Sequence, residues 1–443
     1  MAQSTSESAW HLRGNWAPLL HEQTHHDLVV DGHIPPELSG VYMRTGPNPA
    51  TGDSPHWFLG DGMVHGVRLE NGKALWHKNR FIQTPNVTHP NEKPDNPFDL
   101  AYGTGNTHIV QHGGKILCLE EAHWPWQIDA DLNTIGVENF SGQLTCSMTA
   151  HPKICPITGE LLAFSYFNFE QPFLNYIRIG RDGEVKQIEA IELPNMVMMH
   201  DFNITERYVV FMDLPLVLDL SLLSTGVPFS FKQEAGARLG VMPRNGSAAD
   251  MRWFEIDPCY VFHPVNAFDQ DGVITLYVSR QASAFSGNSD EYGNVGRLYR
   301  WQIDLNTGAV TEQQIDDRPG DFGRTDDRLV GQDSRYGYLM GLGGEGVSEE
   351  PVYGDKLYKY DLKTGQCEEH FLGDNVRGAE PVFVAGGPGE DEGWIINLVF
   401  DETKQKSRML IIDAQDFSAP PIATIHLPER VPYGAHGNWF PDI

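Results

Sequence analysis

Cysteine is scarce in this chain of 443 residues, and long apolar runs are missing. The five cysteines are odd in number and lack the spacing of a metal clip, so no disulfide framework or cysteine zinc site is predicted. No run of about 18 apolar residues occurs, which argues against a transmembrane helix. The N-terminal residues also lack the apolar core of a signal peptide. We therefore expect a reduced, cytoplasmic protein whose cysteines are buried structural thiols.

Positive charge is also in short supply. The chain has 32 Lys and Arg against 60 Asp and Glu, which gives a formal net charge of −28. A surface this negative repels phosphate backbones, so nucleic acid is not an expected partner. It also disfavours electrostatic docking on anionic lipid.

Helical patterns are sparse, and short β-type runs dominate. The best helical candidate is the apolar segment 213–223, whereas β-branched and aromatic runs predict strands at 161–167, 208–212, 273–278, 394–400 and 409–412. Segments 300–308 and 359–365 share a strand followed by Asp-Leu-x-Thr-Gly, a hairpin signal. Recurring hairpins favour a β-propeller and leave a large β-sandwich open. With no linker in the sequence, we predict one domain over 1–443, with 1–27 as an N-terminal extension.

Four of the 18 histidines stand at or near the end of an apolar or aromatic run: His151, His200, His263 and His436. They are far apart in sequence, so they could meet only where several sheets share an axis, as in a propeller. Spacing alone leaves four separate core histidines as an alternative. Four neutral imidazoles would suit iron, zinc, copper or nickel. Zinc would be saturated and structural, whereas iron would keep two positions open.

Several segments together resemble the carotenoid cleavage oxygenase family, from about residue 28 to the end. They are 40–49 (GVYMRTGPNP), 56–65 (HWFLGDGMVH), 105–108 (GNTH), 149–152 (TAHP), 199–202 (MHDF), 262–267 (FHPVNA), 380–384 (EPVFV) and 435–437 (AHG). The resemblance implies an all-β, seven-bladed propeller with a dome of loops and helices over the iron-bearing face. The sequence pattern itself only permits that fold.

The resemblance also assigns residues. His151, His200, His263 and His436 match the family's Fe(II) ligands, and Glu121 and Glu380 match carboxylates that accept from the ligating rings. Asp321 stands where most members have Glu, one methylene longer, so its reach to a ring is less secure. Thr107 matches a threonine that crowds an open iron position and is the catalytic candidate. His56, His65 and His108 are expected to be structural.

The implied reaction is cleavage of a conjugated C=C bond of a lipophilic alkene by O2, giving two carbonyl products. Stilbene-cleaving members generally carry a Lys immediately before the outer Glu, but here that position is Glu120. A carboxylate would oppose charge build-up on a phenol oxygen, so an apocarotenoid or carotenoid is favoured. Cleavage of stilbenes or phenylpropenoids of the vinylphenol and isoeugenol type stays an alternative. The substrate-pocket candidates are Tyr102, Glu120, Trp124 and Phe262.

Two further alternatives stay open at this point. The chain could be a non-catalytic propeller that binds a partner and holds a structural metal. Separately, the apolar stretch 214–231 predicts either weak peripheral contact with a membrane or a buried dome helix that lines a substrate tunnel.

Overall fold

The protein is built almost entirely from short antiparallel strands. The computed structural model describes residues 9–92, 95–96, 98–285, 295–343 and 352–441. In chain order the strands are β1 (Gln23–His26), β2 (Val29–Gly32), β3 (Gly40–Pro47), β4 (Gly62–Glu70), β5 (Lys73–Phe81), β6 (His108–His112), β7 (Lys115–Leu119), β8 (Trp126–Ile128), β9 (Thr134–Val137), β10 (Lys153–Ile154), β11 (Leu161–Ser165), β12 (Leu174–Ile179), β13 (Val185–Ile191), β14 (Phe202–Ile204), β15 (Tyr208–Asp213), β16 (Leu216–Leu218), β17 (Phe229–Phe231), β18 (Ala237–Pro243), β19 (Arg252–Ile256), β20 (Tyr260–Gln270), β21 (Val273–Gln281), β22 (Arg297–Asp304), β23 (Val310–Arg324), β24 (Tyr336–Leu342), β25 (Tyr353–Asp361), β26 (Gln366–Phe371), β27 (Val376–Arg377), β28 (Val382–Ala385), β29 (Gly393–Asp401), β30 (Lys406–Asp413), β31 (Ala423–His426) and β32 (Gly437–Pro441). All five segments predicted as strands are confirmed.

Helices are short and lie in the connections. The described ones are an α-helix, α1 (Pro85–Thr88), and the 3-10 helices Trp10–Leu12, Gly14–Trp16, Trp57–Leu59, Leu100–Tyr102, Leu220–Thr225, Gln233–Ala235, Ala248–Asp250 and Asp327–Leu329. The helix favoured over 213–223 is wrong, because this segment forms β16 and then a 3-10 helix. Pro215 interrupts the apolar run, and the Asp219 carboxylate caps the 3-10 helix by accepting from Ser221 N at 3.1 Å. Among the described helices, none is long and apolar enough to cross a membrane.

The strands form antiparallel sheets of two to seven strands, three of which have four strands. The sheet orders are β1-β5-β4-β3-β32, β6-β7-β8-β9, β10-β11-β12-β13, β14-β15-β18-β19, β20 through β26 in sequence, and β2-β31-β30-β29-β27 with β28 also on β29. A two-stranded ribbon joins β16 and β17. In the seven-stranded sheet, two meanders share the long strand β23. The all-β class is confirmed, whereas the number of blades stays a prediction.

The two Asp-Leu-x-Thr-Gly segments are hairpin turns, as predicted. Between β22 and β23, Asp304 Oδ1 accepts from Asn306 N at 2.8 Å and Thr307 N at 3.1 Å. Asp361 makes the same pair of bonds between β25 and β26. Each turn ends on a glycine of positive φ, 79° at Gly308 and 74° at Gly365. This backbone region is easily reached only without a Cβ, which explains the recurring glycine.

The two ends of the chain pair with each other. Near the C-terminus, β32 pairs with β3 and β31 pairs with β2. The predicted N-terminal extension is described from residue 9 onward, and it packs on the fold: Trp10 and Trp16 are buried, and β1 pairs with β5. The chain ends therefore complete sheets of the fold, and the prediction of one domain over 1–443 stays a prediction.

Apolar clusters fill the spaces between neighbouring sheets. The largest joins side chains of the sheets that begin with β10, β14 and β20, among them Phe164, Phe211 and Trp301. These rigid walls fix the strand ends that surround the polar centre described below. All five cysteines are free thiols; Cys118, Cys155 and Cys259 are buried as expected, while Cys146 and Cys367 are half-buried.

Candidate metal centre

The four predicted histidines come from four different sheets. His151 and His200 each lie two residues before the first strand of a sheet, β10 and β14, and His436 directly precedes β32. His263 lies inside β20, where the pairing with β21 shifts register between Val261 and Pro264. Such a bulge turns a side chain away from its regular direction. Edge strands of four sheets therefore deliver one imidazole each to a common point.

Four ring nitrogens, one from each histidine, lie within 4.8 Å of one another, and all four residues are buried. Nε2 of His263 is 3.2 Å from Nε2 of His200 and 3.1 Å from Nε2 of His436. Nε2 of His151 is buried and has no hydrogen-bond partner. Among the described residues this is the one group of donors close enough to hold a metal ion.

Three carboxylates stand behind these rings. Asp321 Oδ1 is 3.1 Å from Nδ1 of His263, and Glu380 Oε1 is 2.9 Å from Nδ1 of His436. Glu121 Oε1 lies against Nδ1 of His200. Despite its shorter side chain, Asp321 reaches its ring, at a point where β23 shifts register against β24. A carboxylate beside Nδ1 keeps the proton there, so the Nε2 lone pairs of these rings face one another.

This arrangement fits a cation. Lone pairs of Nε2 atoms about 3 Å apart repel each other unless a proton or a metal ion lies between them, and cis nitrogens on one metal with bonds of about 2.1 Å have this spacing. Burial and the neighbouring histidines hold the pKa of His151 well below its usual range. Burial also lowers the pKa of His436, although Glu380 opposes the shift. Neutral imidazole is the form that binds metal.

Charge is distributed unevenly behind the rings. Burial lowers the pKa of His263, but Asp321 opposes it and the pKa is raised overall. Burial raises the pKa of Glu380, yet His436 and Arg324 outweigh it and the pKa is lowered. Glu380 is therefore an anion, and it also accepts from Gly437 N at 2.9 Å.

The sequence interpretation missed several residues around the rings. Asp201 Oδ2 lies 3.7 Å from Nδ1 of His151, and Asp201 is 3% exposed. The only signal is its place directly after His200. The Tyr166 hydroxyl donates to Glu121 Oε2. Arg324 is 3.4 Å from Glu380. Tyr166 and Arg324 carry no motif, because their roles depend on contacts between sheets.

Aromatic side chains pack against several of the four histidine rings. The ring of Phe262, one of the pocket candidates, meets that of His200 edge to face at 5.2 Å. Phe322, which was not predicted, lies 4.8 Å from the His263 ring and 5.2 Å from the His436 ring. Its φ of 57° is uncommon for a bulky residue, which indicates that its surroundings hold it in place.

The other predicted site residues, Thr107, Trp124 and Tyr102, make contacts outside the four histidine rings. The Thr107 carbonyl accepts from His436 N at 3.0 Å, and its hydroxyl donates to Asn106 Oδ1 at 2.9 Å. Trp124 Nε1 donates to the Cys146 carbonyl at 3.0 Å, and the ring packs on an apolar cluster. Tyr102 ends the 3-10 helix Leu100–Tyr102. None of these contacts reaches a ring nitrogen of the four histidines.

Glu120 does not stand alone. Its Oε1 contacts Nδ1 of His123 and accepts from Ala122 N at 3.2 Å. Burial lowers the pKa of His123, but Glu120 raises it and the net shift is upward. The Glu120 carboxylate, on which the substrate prediction depends, is therefore paired with the His123 ring and favours its protonated form.

The other histidines considered lie outside the four-nitrogen group. His108 Nδ1 is 2.8 Å from the Ala150 carbonyl, and its ring is 5.0 Å from that of His436. His56 Nδ1 accepts from Phe58 N at 3.1 Å. His65 stacks on His77 in the first sheet.

A cavity of about 300 Å³, lined by both polar and apolar side chains, reaches the centre. It borders three of the four histidines, namely His151, His263 and His436, together with Lys153 and Arg324.

Comparison with known proteins identifies relatives along almost the whole chain. The family model described as retinal pigment epithelial membrane protein matches residues 16–441. A carotenoid cleavage oxygenase of Mycobacterium tuberculosis is 36% identical over 99% of both chains. A lignostilbene dioxygenase of Pseudomonas brassicacearum has TM-score 0.88 and 30% identity over 98% of this chain and 99% of its own. A cobalt-substituted apocarotenoid oxygenase of Synechocystis has TM-score 0.83 and 26% identity over 96% and 97%.

Proposed function

Because the chain belongs to the carotenoid cleavage oxygenase family, we propose that it cleaves a conjugated C=C bond of an apocarotenoid or carotenoid with O2. Both oxygen atoms end in products, one in each new carbonyl group. The observation that carries this proposal is the convergence of four buried imidazoles with their carboxylates. We assign Fe(II) as the ion, with His151, His200, His263 and His436 as its ligands.

Each part of the site has a task in this reaction. When bound, the iron supplies the redox chemistry that O2 needs. Glu121, Asp321 and Glu380 hold the Nδ1 protons and keep the rings aimed inward. Phe262 and Phe322 exclude water and offer an apolar surface to a polyene. Thr107 anchors His436 through its backbone carbonyl and takes the catalytic position assigned from the resemblance.

The test begins with metal analysis and oxygen uptake. Purified protein should contain about one iron per chain and consume one O2 per alkene cleaved. Mass spectrometry after incubation under 18O2 should find the label in both carbonyl products. A non-catalytic binding propeller would hold zinc or no metal and would consume no O2 with any alkene of a panel of apocarotenals, carotenoids and hydroxystilbenes.

Glu120 supports the choice of a polyene over a hydroxystilbene. A carboxylate near a phenol oxygen raises the phenol pKa and opposes charge build-up in the ring. We expect the protein to cleave an apocarotenal faster than resveratrol. Glu120→Lys should raise the resveratrol-to-apocarotenal ratio of kcat/KM by roughly tenfold, the effect of about 1.4 kcal/mol.

The matched control for this substitution is His123→Gln, which removes the titratable ring that contacts the Glu120 carboxylate. It should lower hydroxystilbene cleavage further. Efficient cleavage of hydroxystilbenes by unmodified protein that ignores every polyene would contradict the assignment, and Tyr102 would then be the first residue to substitute.

Stilbene cleavage is the second candidate, because a lignostilbene dioxygenase matches the fold with TM-score 0.88. The contact of His123 with Glu120 is the observation in this chain that favours it, because the carboxylate raises the pKa of the ring and a protonated ring supplies the cation that a phenolate needs. The same product analysis decides between the two.

We also propose that the protein makes weak peripheral contact with a membrane, from which a lipophilic substrate would be drawn. In the apolar stretch 214–231, Leu214 and Leu216 are buried, but Leu220 and Leu223 are 64% and 56% exposed. Leu59, 47% exposed, lies beside Gly226 at the end of the same 3-10 helix. The stretch therefore contributes to both the core and an exposed apolar surface.

Vesicle flotation tests this contact. Part of the protein should float with neutral phosphatidylcholine vesicles, and Leu220→Ser with Leu223→Ser should reduce the floating fraction several-fold, since each exposed leucine contributes apolar area. Ile157→Ser is the control, because Ile157 is 60% exposed in the hairpin between β10 and β11. Equal flotation of all variants would contradict the contact.

We place the protein in the cytoplasm. All five cysteines are free thiols, which suits a reducing compartment.

A further inference from the structure

Two cationic side chains line the cavity that borders three of the four histidines. The cavity is lined by Lys153 and Arg324 as well as by His151, His263 and His436. The side chains of Lys153 and Arg324 are only 21% and 12% exposed, so water screens their charges weakly.

Lys153 is tied to the carboxylate behind His151. Its Nζ is 2.7 Å from Asp201 Oδ1 and 3.0 Å from Asp201 Oδ2. Asp201 Oδ2 is in turn 3.7 Å from Nδ1 of His151. The chain of contacts runs from the ammonium group through the carboxylate to one ring.

Arg324 occupies the equivalent place behind His436. Its Nη1 is 3.4 Å from Glu380 Oε1 and donates to the Gly437 carbonyl at 3.1 Å. Its Nη2 donates to Asn438 Oδ1 at 2.7 Å. The guanidinium thus holds both the carboxylate that accepts from His436 and the two residues that follow His436.

The other two carboxylates have neutral partners. Glu121 accepts from the Tyr166 hydroxyl, and Asp321 Oδ1 accepts from Phe322 N at 2.8 Å. Arg44 is a further buried cation, but it donates to the Pro432 carbonyl, and no ion pair joins it to a described carboxylate. The cations in direct contact with this ring of anions are therefore Lys153 and Arg324.

We propose that Lys153 and Arg324 are positioning residues that hold the metal centre in its divalent state. This inference rests on the proposed iron site and adds a role that its ligands do not supply. Four carboxylates would favour a trivalent ion, since each added positive charge on the metal is attracted by every anion. Two weakly screened cations oppose that attraction, and the further partner of Arg324, Asp327, is 67% exposed and therefore well screened by water. Their contacts with Asp201 and Glu380 also keep those carboxylates fixed behind His151 and His436.

The test is the Fe(III)/Fe(II) potential of the full-length, iron-loaded protein, measured without O2 by spectroelectrochemistry. Arg324→Gln should favour Fe(III) over Fe(II) by roughly tenfold, because one positive charge at close range is lost. A tenfold change in a one-electron couple corresponds to about 59 mV, here toward more negative potential. Lys153→Met should shift the potential in the same direction, and the double variant should shift it further than either.

Two variants separate charge from fold. Arg324→Lys keeps the positive charge but loses the planar, two-pronged hydrogen-bonding geometry of the guanidinium. It should therefore retain most of the Fe(III)/Fe(II) potential of the unmodified protein. Arg328→Gln is the matched control, because Arg328 follows closely in sequence and pairs with Asp326 but is 44% exposed. It should leave the potential unchanged. Circular dichroism checks folding, and Lys153→Met decides alone if Arg324→Gln does not fold.

The outcomes are distinct. An unchanged or more positive potential in folded Arg324→Gln and Lys153→Met, an equal shift in Arg328→Gln, or a shift in Arg324→Lys as large as that in Arg324→Gln would overturn the inference while leaving the proposed function intact. Unmodified protein that binds no iron would overturn both.

Discussion

His200→Ala is expected to abolish stoichiometric iron binding and to reduce alkene cleavage by at least about 100-fold. The imidazole is one of four buried donors, and its Nε2 lies 3.2 Å from that of His263. Removing it deletes a ligand outright, which costs more than the roughly 10–100-fold that accompanies loss of an outer partner. Iron content by mass spectrometry and O2 consumption measure the two effects.

The matched control is His112→Ala. His112 is also a buried histidine, but its Nε2 bonds to the Gly180 carbonyl at 2.8 Å, away from the centre. This variant should lose some stability through its unpaired carbonyl and keep its iron. Full iron occupancy in His200→Ala would remove His200 from the ligand set.

The strand content was predictable because it depends on local pattern. Runs such as 394–400 are β-branched and apolar, and the Asp-Leu-x-Thr-Gly turns supply both the side-chain acceptor and the positive φ. The helix prediction for segment 213–223 was wrong because composition alone cannot distinguish an apolar strand followed by a turn from a helix. Pro215 and Asp219, which break it, were the signals to weigh.

The convergence of the histidines was predictable only through the family resemblance. Their spacing contains no information, since each comes from a different sheet. Asp321 illustrates the limit: its side chain is short, and it meets His263 at a register shift of β23 against β24 that no local sequence pattern marks. Arg324 and Tyr166 act across sheets as well, and no local pattern marks such contacts.

The outer carboxylates should differ in a way that their contacts dictate. Glu121→Gln and Asp321→Asn remove a negative charge but can still offer an amide oxygen to Nδ1–H of the ring. Metal affinity should fall about 10–100-fold in both, the usual cost of an altered outer partner. Because Asp321 reaches His263 at 3.1 Å, the shorter side chain should not soften the effect.

Glu380→Gln should weaken metal binding more than either, toward or beyond the 100-fold end of that range of about 10–100-fold. Glu380 lies between Arg324 and His436, so its neutralisation leaves the buried guanidinium near the metal with only the exposed carboxylate of Asp327 as an ion-pair partner. Uncompensated positive charge near a cation site opposes binding directly.

Competition with a chelator, using Co(II) as the spectroscopic probe, gives the metal affinities. The control is Glu138→Gln, because Glu138 is also a buried glutamate and pairs with Lys115. If Glu380→Gln cost no more than Asp321→Asn, the charge of Arg324 would have no influence at the metal, whereas combining Glu380→Gln with Arg324→Gln should recover part of the lost affinity.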